Sequence, residues 1–472
     1  MIPASAIWNA RARAGAGGST PVVLFTIAGY PRIFSTVDIN QPNVYKWISG
    51  GNAGTLTMSV SDLDGSSNTS DVSFTVLDVN HLLTKDFQAM TDTIVGVAPT
   101  QALEGNVCTI QVGFLGMPLS EYITLMTLVV DHIDLANQNT SYKFTLRDNS
   151  LLLQQFAFET GDDGNATSNA NPATVIGSPM DILQEAATQS GLPTANINAD
   201  AIANLNTNVY FGLNQRFSVT YPPRAKDFIE NEILKPLGAY WYWDHLGRMT
   251  PYSMLPYALP VPALTLDGTN IDMQTPPVPM RSQDYTSVVI YKMDGDSNGQ
   301  NFQTDIVSEY APAVNLYGIS QSRIIQSRGV RSSLGGTRIA HLTIQNIFRR
   351  YGLKPFTMKL RCFLPAMLAE LGDKVTVNHP LVPNGLWPAV FRMPGPMGIT
   401  GTLWEVKGRA IDFNDGTTEL DLLDCSWQVQ FPAYEIAPDG TGTYPSNKAS
   451  DYMFVSNPNS MYSNGDSGRL LY

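Results

Sequence analysis

The stretch Phe217–Tyr252 switches its periodicity twice, and that limits the folds open to the chain. Phe217–Tyr221 alternates as a strand, and Pro222-Pro223 breaks it. Ala225–Leu234 then places Phe228, Ile229, Ile233 and Leu234 on one side of a helix, which Pro236 and Gly238 end. Ala239–Trp243 reads as a strand, Asp244-His245-Leu246-Gly247 as a turn and Arg248–Tyr252 as the returning strand. A β-α-β-β unit needs a second layer against its helix, so neither an all-helical bundle nor a purely β sandwich suits the whole chain.

With 472 residues the chain is too long for one core and implies two to four domains. Before the mixed unit, Val22–Ala28, Thr55–Val60, Val72–Leu77, Val107–Phe114, Tyr122–Leu135 and Ser141–Leu146 read as strands with short turns. They suggest a small barrel or sandwich. After it, Thr337–Tyr351 has the apolar face of a helix, with Ile339, Leu342, Ile347, Phe348 and Tyr351. Strands return at Phe356–Cys362, Lys374–Asn378, Thr402–Ile411 and Thr418–Leu423. The expected fold is mainly β (α+β): two small related β-barrel or sandwich domains flanking mixed β-α-β-β modules. The expected order is an N-terminal arm (1–20), a first β-barrel domain (21–160), a mixed module (161–286), a strand, loop and helix connection (287–352), a second β-barrel domain (353–430) and an extended C-terminal tail (431–472). Trp8 in the arm is a candidate to dock on a neighbouring molecule. The tail beyond Trp427 is rich in Pro, Gly, Ser, Asn and Tyr and cannot build its own core.

One internal echo links the two β regions. Ile133-Asp134-Leu135, a polar turn and Thr145-Leu146-Arg147-Asp148 resemble Ile411-Asp412-Phe413, a polar turn and Asp421-Leu422-Leu423-Asp424. The expectation is a shared architecture.

Chemistry is sparse. Apolar residues make up 43% of the chain, enough for real cores, whereas charged residues are only 15%. The formal net charge of −12 argues against a phosphate-gripping surface; it suits a channel wall past which DNA slides, and equally suits plain solubility. Arg349–Arg350 reads as a solvated helix end. Cys108, Cys362 and Cys425 are scattered, so no disulfide framework, zinc site or iron–sulfur site follows. The histidines His81, His132, His245, His341 and His379 form no ligand pair. Asp62-Leu63-Asp64-Gly65 is like the start of a calcium loop but Ser73 stands at the closing position, and a plain turn is expected. Asp162-Asp163, Asp294 and Asp296 fall in loops. Gly329–Gly336 has glycines but no lysine for a phosphate loop. Tyr240-Trp241-Tyr242-Trp243 offers either a sugar platform or a strand packed on the Ala225–Leu234 helix with its other face in an interface. The sequons at Asn68, Asn139 and Asn165 carry little weight, because the N-terminus lacks an apolar signal core. No run approaches the roughly 20 apolar residues of a membrane span. No catalytic, cofactor-binding or metal residue is assigned, and no cofactor is expected.

The stretch FSVTYPPRAKDFIENEILKPLGAYWYWDHLGRMTPYSM (Phe217–Met254) resembles the central module of the tailed-bacteriophage baseplate hub and tail-tip hub family. Leu371-Gly372-Asp373-Lys374-Val375-Thr376-Val377 is similar to that family's lGDxVxV strand, Thr402–Asp424 to its closing hairpin, and Val72–Leu83 to the FTVxD strand of its first barrel. The resemblance spans roughly residues 20–430. It implies a homotrimeric structural hub in the virion, assembled in the host cytoplasm, that links the sixfold tail tube to a distal spike, fibres or receptor-binding parts. The implied partners are further copies of itself, distal tail and tail tube proteins, the tape-measure protein, and tail fibre or spike proteins, with DNA only in transit. It implies no enzyme. The alternatives are a distal tail or receptor-binding protein and a cell-wall-degrading tail enzyme. The cysteine-ligated cluster of some tail-tip relatives has no counterpart here.

Overall fold

The computed structural model describes residues 1–14, 19–69, 71–92, 98–137, 140–255, 262–272, 274–275, 277–296, 301–379, 382 and 402–425, and the backbone of Ser456–Met461 and Ser467–Arg469. The sequon at Asn139, Trp427 and most of the C-terminal tail lie outside these residues.

The chain opens with helix α1 (Ala6–Arg13), capped by the Ser5 hydroxyl. Trp8 docks on its own chain: it is fully buried, and its Nε1 donates to the Val112 carbonyl at 3.1 Å. The expected contact with a neighbour is therefore corrected. Strands β1 (Pro21–Ile27), β2 (Ile33–Ser35) and β3 (Val44–Tyr45) follow. A hairpin of β4 (Thr55–Ser61) and β5 (Ser66–Thr69) precedes β6 (Val72–Leu77), helix α2 (Leu82–Thr91), β7 (Val107–Phe114), β8 (Ile123–Ala136) and β9 (Ser141–Arg147). Strict alternation in Val-Ser-Phe-Thr-Val buries Val72, Phe74 and Val76 along one face of β6. Phe74 stacks on Phe25 and Phe144 there, with ring centroids 4.1 and 4.9 Å apart. The first sheet runs β3-β2-β1-β7-β8-β9-β6.

The middle of the chain carries β10 (Ala173–Gly177), α3 (Pro179–Gln189), α4 (Ala199–Asn204), β11 (Gln215–Val219) and α5 (Ala225–Phe228). The helix predicted for Ala225–Leu234 exists but widens to a π-turn over Ile229–Leu234 before Pro236. Then come β12 (Ala239–Trp243), β13 (Met249–Ser253), β14 (Leu264–Leu266) and β15 (Met280–Arg281). The connection, expected as a strand at Ser287–Tyr291 followed by a polar loop from Asp294 to about Asp305, holds a three-stranded sheet, β17-β16-β18: the expected strand is β16 (Val288–Gly295), and β17 (Phe302–Glu309) and, after α6 (Ala311–Tyr317), β18 (Ser322–Gln326) join it. Helix α7 (Gly336–Tyr351) leads into β19 (Phe356–Cys362), β20 (Lys374–Val377), β21 (Thr402–Asp412) and β22 (Thr417–Asp424). The tail contributes an antiparallel pair, β23 (Ser456–Met461) and β24 (Ser467–Arg469).

The second sheet runs β14-β20-β21-β22-β19-β15. The β4–β5 hairpin leaves the first sheet and joins this one, β4 pairing antiparallel with Gly408–Asp412 of β21. The fold is α+β and mainly β, but no ladder closes into a barrel among the described residues. In the first sheet the two edges are tied, among the described residues, by the Ile48–Val76 bridge and the bonds from the Leu77 N–H to the Trp47 carbonyl and from the Thr75 N–H to the Asn52 carbonyl (2.9 Å each). The reason is that β3 has only two residues, so its edge is too short to zip onto β6.

The two sheets share one plan. In each, a strand, a helical crossover, a second strand and a long hairpin lie side by side as second-third-fourth-first: β7-β8-β9-β6 and β20-β21-β22-β19. Both long strands carry a bulge opposite the same place in their partners, between Val130 and His132 and between Val406 and Gly408. The registers equate Val130 with Val406 and Leu146 with Leu422 without insertion through the hairpin. They match the fourth strands as the sequence echo does, but shift the third by two residues, so Leu135 rather than Ile133 corresponds to Ile411. The turn into the second strand is also shared. Gly105 N–H donates to the Val130 carbonyl (2.8 Å) and Val130 N–H to the Asn106 carbonyl (2.9 Å); Gly372 and Asp373 hold Val406 the same way (2.8 and 3.0 Å). Both glycines have left-handed φ, +82° and +85°.

Gly105→Ala should therefore cost about 1 kcal/mol through backbone strain alone, since open space surrounds it. Gly372→Ala should cost about 2–3 kcal/mol, because its Cβ would lie 2.8 Å from the Tyr240 hydroxyl. Urea denaturation of the two variants checks the order.

Candidate functional site

The side chains that join the β4–β5 hairpin and α7 to the second sheet are charged and buried. Helix α7 buries Ile339, Thr343 and Ile347, and the same stripe ends at Arg350, which is 3% exposed. Arg350 is no solvated helix end. Its Nη1 and Nη2 each reach Glu405 of β21 at 2.9 Å, and Nη2 also reaches Asp62 at 2.8 Å. Asp62 sits at the turn of the β4–β5 hairpin and accepts the Tyr351 hydroxyl at 2.7 Å. Lys374 of β20 pairs with Glu405. Lys407, the bulged residue of β21, lies 3.1 Å from Asp62 and 3.5 Å from Glu405, over the ring of Tyr240 at 4.5 Å.

Burial alone would push both carboxyls up. The charges of Arg350, Lys374 and Lys407 instead hold Glu405 well below the usual carboxylate range, and those of Lys407 and Arg350 lower Asp62. Burial lowers the Arg350 guanidinium, yet Glu405 and Asp62 overcome this and raise it. The Lys407 amine is lowered by burial. Thus the hairpin, α7, β20 and β21 meet through five charges, with Tyr351 and Tyr240 filling the gaps. The arrangement clamps these elements together.

A second junction lies beside it. Glu370 accepts the His245 N–H at 3.0 Å and the His245 ring at 2.9 Å, and Arg409 donates to the Ala369 carbonyl at 2.8 Å. Burial raises the Glu370 carboxyl, but the His245 hydrogen bond and the nearby Arg409 charge overcome it and hold the group at about 2. His245 thus ties the β12–β13 turn to the second sheet. Asp244 shapes that turn, accepting the Leu246 and Arg248 N–H groups at 3.0 and 2.9 Å.

The aromatic strand β12 is buried along its whole length, so it is no sugar platform. Trp241 faces the π-turn and donates to Glu230 at 3.0 Å. The opposite face, expected to lie in an interface, is covered within the chain: Tyr240 contacts Glu405 at 3.4 Å. The Asp62–Gly65 turn is no calcium loop, since Asp62 is taken as above and Asp64 lies 3.5 Å from both Lys235 and Arg323. Gly329 is needed for close approach, because a Cβ there would meet the Phe217 ring at 2.1 Å. Asp294, expected in a loop, lies in β16 and accepts from Thr304 of β17 and the Ser332 N–H, while Asp162 accepts the Thr174 N–H in a turn. Asp163 accepts the Asn165 N–H, and Asp296 bonds Asn301. His132 is exposed between Asp131 (3.0 Å) and Asp134 (3.3 Å), His81 and His341 are exposed, and His379 is buried. Cys108, Cys362 and Cys425 are free and buried. Among the described residues no group of His, Cys, Asp and Glu is placed to hold a metal, and no helix is long and apolar enough to cross a membrane.

Sequence reasoning missed the main junction, although Arg350 carried a signal. It stands eleven positions after Ile339, on the apolar stripe of α7, where an arginine demands a buried acid.

Glu405→Gln should destabilise the chain by about 3–5 kcal/mol, because it leaves buried cations short of a counter-charge; thermal melts against wild type check this. The pH dependence has a definite sign. A carboxyl depressed from 4.5 to about 2 makes the unfolded chain bind more protons between those values. Glu370 then contributes about 3 kcal/mol above pH 4.5 and loses it as pH falls toward 2. Urea midpoints from pH 6 to 3 should fall for wild type and flatten in Glu370→Gln. Glu230 behaves oppositely: burial raises its carboxyl, so its ionised form costs stability above pH 4.5, and Glu230→Gln should be neutral or stabilising at pH 7.

No family model matches the sequence, and no curated protein does. Solved structures do. The chain is similar to a tail protein from Neisseria meningitidis, at 12% identity and a TM-score of 0.44 over 88% of this chain and 99% of that one. It is similar to the prophage MuSo2 tail protein from Shewanella oneidensis, at 12% identity and 0.43 over 85% and 96%. A prophage tail protein from Listeria monocytogenes gives 9% identity and 0.40 over 86% and 94%.

Proposed function

We propose that this chain is the structural hub of a phage tail tip or baseplate. Three copies form a ring in the virion, joining the sixfold tail tube to the distal spike, fibres or receptor-binding parts and lining the DNA channel. The observation that carries this reading is the repeated four-strand unit. One chain holds two units of the same strand order, bulge and turn, so three chains offer six comparable units to a sixfold partner. The order of the hub-like motifs supports it: the aromatic strand, the Gly372-Asp373 turn and the closing hairpin converge on the two junctions. The rigid charged clamp suits a part that transmits load, and the net charge of −12 suits a wall that DNA passes without binding. Distal tail, tape-measure and fibre or spike proteins are its partners, and assembly takes place in the host cytoplasm. No catalytic step is assigned.

Light scattering of the full chain should give the mass of three copies, and negative-stain images a ring with a central hole. A monomer with no ring at any concentration counts against the hub. A peptidoglycan zymogram should stay uncleared, and clearing would replace the structural reading by an enzymatic one.

A further inference from the structure

The two repeated units differ at one strand edge. In the second, Gly408–Asp412 of β21 pair with β22 on one side and with β4 on the other. The equivalent residues of the first, His132–Ala136 of β8, pair with β9, and no described strand lies along their other edge. An apolar side chain registers the difference. Ile411 is fully buried with Leu56 of β4 opposite it, whereas its equivalent, Leu135, is 51% exposed.

A second such edge lies in β17, which among the described residues pairs only with β16. Its Val307 is 65% exposed and lies opposite Ile290, which lies opposite Ile324, itself 52% exposed. Open edges with exposed apolar residues invite strand addition.

We propose that β17 of a second copy of this chain adds antiparallel to β8 along His132–Ala136, with Val307 opposite Leu135. Leu135 already faces Tyr142 of β9. The joined sheet then carries one apolar row, Ile324–Ile290–Val307–Leu135–Tyr142, across five strands. The same register sets Ser308 against Asp134 and Ile306 against Ala136, so no two carboxylates oppose each other. Asp305 is paired with Lys292 at 3.6 Å and Asp131 with Arg147 at 2.5 Å within their own chain. The partner is a second copy because the contact restores equivalence: β4 covers the edge of the second unit from within the chain, and β17 covers the first from the next chain. The inference rests on the three-copy reading and names its contact.

The test mixes two full-length variants, Leu135→Cys and Val307→Cys, under mild oxidation; the three native cysteines are buried. A disulfide-linked pair of unlike copies is expected. Leu135→Lys and Val307→Lys, both at exposed positions, should each weaken self-association at least about tenfold while leaving the far-ultraviolet circular dichroism spectrum of the folded chain unchanged. A three-copy mass untouched by either lysine, with no cross-link, overturns the β8–β17 contact and leaves the trimer standing. A monomeric wild type with no cross-link overturns both. Intact self-assembly with loss of binding to a different tail protein in Leu135→Lys makes the added strand foreign and also overturns the proposal.

Discussion

Everything in this chain converges on Glu405. It is fully buried, and a lone buried carboxylate is far too costly to keep. Its ionised form is held by Arg350 from α7, Lys374 from β20 and Lys407 from its own strand, while Asp62 completes the charge pattern from the distant hairpin. Removing any one element leaves the others with an unmatched charge in a dry place. The hairpin, α7 and the second sheet are therefore bound to one relative placement. A hydrophobic contact would tolerate sliding, whereas a bidentate arginine does not.

The repeat shows how one backbone plan serves two ends. The bulge of the long strand projects one extra residue in each unit. In the second unit that residue is Lys407, which reaches the buried carboxylates. In the first it is Asp131, which stays near the surface with Arg147 and His132. The same contrast holds for the residue that opens the second strand: Lys374 faces Glu405, while Val107 faces Val129. One unit has become the interior joint, and the other keeps a more ordinary strand surface.

Much of this was legible in the sequence, and the failures have physical reasons. The β-α-β-β unit stood out because Pro222, Pro223, Pro236 and Gly238 mark its breaks and its periodicities differ sharply. The hairpin echo emerged because side-chain alternation survives divergence; its third strand was misaligned because a bulge hides inside an alternating pattern. Strand β17 escaped notice, since Gln303, Thr304, Asp305 and Ser308 look like a loop when only one edge of a strand is paired. The charged joint was missed for a different reason. Arg350 on the apolar stripe of α7 called for a buried acid, but Asp62 lies 288 positions away and no local pattern names it. Barrels were expected because curled sheets and closed ones read alike residue by residue.

That separation has a consequence for synthesis. The β4–β5 hairpin leaves the ribosome long before α7 and β21 exist, and it has no seat in the first sheet. Until then its strand edge has no β21 to pair with and Asp62 no Arg350. Its hydroxyls and the Asp62 and Asp64 charges favour hydration of that waiting hairpin. Strand β21 then collects it. The chain thus closes late and in order, and an incomplete chain lacks the joint that would let it pass as a finished part.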